Sequence, residues 1–98
     1  MLQEPLFPPS RVKLNYDSEA DVLYLSLGNS VPAEGEMRNG VIFRYSLIDD
    51  APVGATVVAF RKRWQTNLAD LAVKLANVLP MQSQDLEKIL ARKAFPGA

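Results

Sequence analysis

Asp17, Glu19 and Asp21 set three carboxylates at alternate positions of one short polar stretch. Hard divalent cations are held by several oxygen ligands, and a calcium-binding loop can begin in this way. A loop of that kind starting at Asp17 needs glycine at its sixth position and glutamate at its twelfth. Those places hold Val22 and Gly28. The stretch is therefore expected to be a solvated turn whose Asp17 accepts hydrogen bonds from its own backbone. No metal and no cofactor is expected.

Arg61-Lys62-Arg63-Trp64 is the basic run of the chain, and cations beside an aromatic ring can grip phosphates and stack on bases. Residues 1–50 hold four basic and eight acidic residues, net −4, whereas 51–98 hold seven and three, net +4. A nucleic-acid footprint needs more clustered charge than one such run. The expected structure is a solvated corner with Trp64 packed under the following helix, so these four residues form a secondary candidate patch and nucleic acid is not an expected partner. The charge asymmetry could equally steer head-to-tail association between copies.

Glu34 with Glu36, and Asp49 with Asp50, are the other paired carboxylates. Neither pair has an apolar sequence setting that would raise a pKa for acid–base work. Alternating charges suit an edge strand, and adjacent aspartates suit a turn. Ser10 and Lys13 have the spacing of a Ser-x-x-Lys motif, but no helix holds them together. Tyr16, Tyr24 and Tyr45 read as sheet residues. The chain lacks histidine and cysteine altogether. That removes the commonest general base, imidazole and thiolate metal ligands, and the histidine- or cysteine-dependent nucleophilic constellations. No catalytic residue is assigned, and the expectation is a protein that is not an enzyme.

The elements that would position these groups follow from periodicity. Ninety-eight residues, 48% hydrophobic and 22% charged, make one globular domain with no net charge. Residues 1–10, with Pro5, Pro8 and Pro9, read as a flexible leader, and 11–98 as a single domain. Val12, Leu14 and Tyr16 alternate with polar residues, as do Leu23, Leu25 and Leu27, and a loop of about five residues joins the two strands. A further strand runs from Ala33 to Arg38. Asn39-Gly40 follows, the pair that best tolerates positive φ at both centres of a hairpin turn. Val41 to Leu47 is the next strand. Val53 to Phe60, almost wholly apolar, has the composition of a strand buried on both faces.

After Arg63 the period becomes helical. Leu68, Leu71, Ala72, Leu75, Val78 and Leu79 form one stripe, with Asn67 as its cap and Pro80 as its stop. Ser83 caps a second helix carrying Leu86, Ile89, Leu90 and Ala94, and Pro96-Gly97 ends it. The fold class is α+β, an antiparallel β-meander of four to five strands over 11–60 followed by two short C-terminal amphipathic helices within 64–95. Residues 1–10 lack the basic start and apolar stretch of a secretory signal. The ten-residue uncharged run Ala51–Phe60 is too short to span a membrane. A cytoplasmic protein is expected, with no membrane partner.

One block has a family likeness. Tyr16-Asp17-Ser18-Glu19-Ala20-Asp21-Val22-Leu23-Tyr24-Leu25-Ser26-Leu27 resembles the opening signature of the small bacterial domain-of-unknown-function family 2283. The likeness continues through Glu34, Glu36, Asn39-Gly40-Val41-Ile42, Tyr45 and Val53-Gly54, and covers about residues 12–60. The resemblance implies a compact antiparallel β unit and brings no enzymatic activity, cofactor or catalytic set. Some members look like small partner proteins of toxin-like neighbours. Ser18 and Thr56 depart from the family's frequent proline and acidic residue, and the helical tail lies beyond the resembling region.

The functional expectation is a non-enzymatic protein-binding module that self-associates, as a homodimer or another homo-oligomer. Apolar residues on both sides of its central strands suggest that a second copy covers the face its helices leave open. The alternative is an antitoxin-like partner of a small toxin, bound through the C-terminal helices with Leu68, Leu71, Leu75 and Leu86 as anchors.

Overall fold

A computed structural model of the chain describes residues 6–28 and 31–94. Its strands are β1 (Val12–Asp17), β2 (Val22–Leu27), β3 (Ala33–Arg38), β4 (Val41–Ser46) and β5 (Pro52–Val58), followed by helices α1 (Leu68–Ala76) and α2 (Ser83–Ala94). The α+β class expected from periodicity is what the chain adopts. The strand order is not a meander, however. It is β1-β2-β5-β4-β3, antiparallel throughout, with β5 inserted between two hairpins. Alternation says which face a residue occupies but not which strand lies beside it, and the apolar β5 takes the centre.

Each hairpin has a local cause. Asn39 and Gly40 both have positive φ, 54° and 82°, as a two-residue turn of primed type requires. In the β1–β2 loop the Asp17 carboxylate accepts the N–H groups of Glu19 and Ala20, the turn chemistry expected there. Gly54 on β5 is obligatory for a different reason. A Cβ at this position would run into the Leu25 carbonyl oxygen of β2, so the two backbones approach as closely as they do because no side chain intervenes.

The inner face of the sheet carries Leu23, Leu25 and Leu27, Ala55 and Val57, and Val41 and Phe43. Phe60, Trp64, Leu71, Ala72, Leu75, Leu79, Met81, Leu86, Ile89, Leu90 and Ala94 complete one core with them. The helices thus cover one face only. They stop short of β3, whose residues are exposed on both sides after Ala33. The expectation that β5 is buried on both faces fails for the same reason. Ala55 and Val57 are buried, whereas Thr56 is half-buried and Val58 exposed on the open face.

Four further readings of the sequence change. The leader is docked from Phe7 onward: its N–H donates to the Pro80 carbonyl at 2.8 Å and its ring packs against the core. Residues 1–5, and the Pro96-Gly97 stop, lie outside the described residues. The last strand ends at Val58, and a single π-helical turn, Phe60–Trp64, follows Ala59 at φ 54°. Asn67 stands at the cap position of α1, but its side chain makes no capping bond; its carbonyl accepts the Leu71 N–H instead. Ser83 is already the first residue of α2, and Gln82 before it accepts the Leu86 N–H. No helix among the described residues is long and apolar enough to cross a membrane.

Candidate functional site

The densest polar constellation joins the β1–β2 loop to the strand-to-helix junction. Asp21 sits at φ 54° and turns its carboxylate onto the π-turn. Its Oδ1 accepts the Tyr16 hydroxyl at 2.6 Å and the Arg61 N–H at 2.9 Å, and its Oδ2 accepts the Lys62 N–H at 3.1 Å. The Asp21 carbonyl accepts the Phe60 N–H as well. Free amides at the start of a helical turn need acceptors, and a loop carboxylate supplies them here. The Arg61 guanidinium stacks 4.3 Å above the Tyr16 ring centroid and donates to the Lys93 carbonyl in the last turn of α2. Gln65 Nε2 donates to the neighbouring Ala94 carbonyl at 2.7 Å.

Burial pushes the Asp21 carboxyl up, but the hydrogen bonds from Tyr16, Arg61 and Lys62, with the Arg61 charge, outweigh it and hold the group below the ordinary carboxylate value. The bond to Asp21, followed by desolvation, raises the Tyr16 phenol. These groups brace one another: the phenol keeps its proton and both carboxylate oxygens are occupied. The constellation is a structural bracket binding β1, the π-turn and α2.

Because the folded-state pKa of Asp21 lies below its unfolded value, its carboxylate contributes stability above the unfolded pKa of about 4, and that contribution is lost as pH falls through the folded pKa. Asp21→Asn tolerates the positive φ and should therefore lower the melting temperature at neutral pH, with the gap to the parent closing below pH of about 4. Asp21→Ala should cost about 1–2 kcal/mol at pH 7, the range of a lost helix cap. A melting-temperature gap that stays constant down to the acid limit would contradict the assignment.

The structure disperses the Arg61-Lys62-Arg63-Trp64 patch. Arg61 faces the end of α2, Lys62 is exposed, and Arg63 lies over the Asn39–Gly40 turn. Trp64 is buried in the core, with Arg63 and Lys74 each 5.8 Å from its ring centroid. It presents no surface on which a base could stack. The helical anchors are likewise taken. Leu71, Leu75 and Leu86 are fully buried, and half-buried Leu68 packs against the same core. As folded, α1 and α2 turn these residues toward their own sheet, so they are not free to grip a partner.

Glu34, Glu36, Arg38, Tyr45 and Asp50 do converge, around an open groove of about 390 Å³ on the part of the sheet the helices do not reach. Glu36 there pairs with Arg38 at 3.2 Å, and both are more than half exposed, so the pair contributes little. Asp49 faces its own turn, accepting the Ala51 N–H.

What remains is the open face. Cross-strand pairing sets Asn15, Tyr24, Thr56, Ile42 and Met37 in one row, flanked by Val22 and Val58. Tyr24 and Val58 are each about 40% exposed and Met37 is 62% exposed. The neighbouring row of Lys13, Ser26, Gly54, Arg44 and Gly35 is polar and small, with a cation on each half of the sheet. This row structure depends on β5 standing between β2 and β4, which no local pattern announces.

Compared with protein-family models, curated proteins and solved structures, the chain matches none. The likeness to family 2283 therefore rests on the quoted residues alone. Two of them, Tyr16 and Asp21, are the bracket described above.

Proposed function

We propose that the chain is a small non-enzymatic protein-binding module that self-associates, with its sheet rather than its helices as the contact surface. The observation that carries this reading is the row in which Tyr24, Ile42 and Met37 join Thr56 on the open face, opposite the face on which the helices pack. Apolar residues gathered on one face differ from scattered exposed ones, because a second protein surface can remove them from water together. Among the described residues, the sheet also ends in two strands, β1 and β3, each with one side that pairs with no other strand. Unpaired strand edges are where sheets from separate chains join.

Mass in solution across a dilution series of the full chain tests the reading. A concentration-dependent dimer or larger assembly supports it; a strict monomer at millimolar concentration overturns it. Tyr24→Lys should leave the melting temperature within about 2 °C of the parent, since an exposed open-face residue takes no part in the core. A large loss of stability would mean that the open face is required by the single chain itself.

A further inference from the structure

We infer that two copies join edge to edge through β1, antiparallel about a two-fold axis at Asn15, to form one continuous ten-stranded sheet. The inference rests on the self-association reading and places the contact at a strand edge, a different surface from the open-face row.

A two-fold axis normal to the sheet keeps each residue on its own face, so residue i can lie opposite residue j only when both project to the same side. With Asn15 on the axis, Lys13 of each copy lies opposite Asp17 of the other, and Leu14 opposite Tyr16. Lys13, Asn15 and Asp17 are exposed on the open face, whereas Val12, Leu14 and Tyr16 are only half-buried on the inner face. Pairing would therefore form two cross-strand ion pairs on one side and cover half-exposed apolar side chains on the other. An isolated lysine on an edge strand ordinarily blocks such pairing. Here the second copy's Asp17 answers it.

The edge is also physically ready. β1 pairs with β2 in regular register at all six residues. It contains neither proline nor glycine. Among the described residues, no other strand lies on its outer side. The opposite edge behaves differently. For β3, the two same-face registers that pair five of its six residues set Glu34 against Glu36, or Glu36 against itself between two Glu34–Arg38 pairs. Like charges directly opposite oppose pairing. The β1 register thus sets no like charges opposite one another, whereas each β3 register brings at least one pair of glutamates together.

Because the natural chain has no cysteine, a single introduced thiol reports the register. Asn15→Cys places the thiol opposite its own copy, at about 4.5–5.5 Å between Cα atoms, within the span a disulfide bridges. Mild oxidation should convert it to a covalent dimer, while Lys13→Cys, displaced from the axis, should stay uncrosslinked. Independently, Lys13→Glu and Asp17→Lys should each weaken the dimer about tenfold or more, because two ion pairs become repulsive. Mixing the two variants should restore it as a heterodimer. Asp17 also holds the Glu19 and Ala20 amides, so the Asn15→Cys result, which leaves those bonds intact, carries the test if the Asp17 variant misfolds. A dimeric parent whose Asn15→Cys variant does not crosslink, or whose charge variants remain dimeric, overturns the β1 pairing and leaves self-association standing. A strictly monomeric parent overturns both.

Discussion

A chain that stops at Arg63 should not fold. Among the described residues, ten of the eighteen buried apolar side chains, from Trp64 to Ala94, lie beyond that point. Without them Leu23, Leu25, Val41, Phe43 and Val57, now at most 2% exposed, would face water. Burying one such side chain contributes about 1.5–3 kcal/mol, and a domain's whole stability is only about 5–15 kcal/mol. Circular dichroism should show no cooperative thermal transition, and an apolar dye should bind the shortened chain strongly. A sharp melt near that of the full chain would refute the role given to the helices. It would also revive the reading in which they are free to wrap a partner.

Gly54→Ala should destabilise the protein by about 3 kcal/mol, the upper part of the range for forcing atoms into a packed site. The added methyl meets the Leu25 carbonyl, which belongs to the neighbouring central strand and cannot turn aside. Gly35→Ala provides the control. Its methyl would meet the Cγ2 of Ile42 at 2.9 Å, a stiff side-chain carbon rather than backbone, and the exposed edge strand β3 that carries Gly35 can shift to make room. That change should cost less than about 1 kcal/mol. Denaturant titration of the two variants separates a backbone collision from a side-chain one, and equal effects would show that the β2–β5 approach is not constrained by its glycine.

Apart from β3, which is exposed on both sides, the strands and helices were legible because each has a wetter and a drier side. Leu23, Leu25 and Leu27 alternate as a strand must, and Leu68, Leu71 and Leu75 recur as a helix must. The Asn39–Gly40 turn was legible because few residue pairs accept its backbone. The order of the sheet was not, since alternation carries no information about neighbours. The π-turn was hidden for two reasons: Ala59 enters it at a positive φ that alanine rarely adopts, and Arg61-Lys62-Arg63 looks like any solvated corner. Asp21 was hidden by distance. Its amide partners lie about forty residues along the chain, at Arg61 and Lys62, where no local spacing points. The helical leucines mark the same limit: an amphipathic stripe announces burial without saying whether its own sheet or another protein covers it.

The central position of β5 also dictates an order of events during synthesis. While the chain emerges, the β1–β2 and β3–β4 hairpins can close locally, but neither touches the other in the finished sheet, because β5 lies between them. A lone hairpin is at best marginally stable in water. Until Pro52–Val58 leaves the ribosome, the nascent chain therefore holds two unconnected ribbons with nothing to join them. The step that fuses them also carries Phe60–Trp64 onto Asp21. Assembly of this sheet thus waits for Pro52–Val58, and until that segment emerges the two hairpins can offer their strand edges to whatever chaperone stands at the tunnel exit.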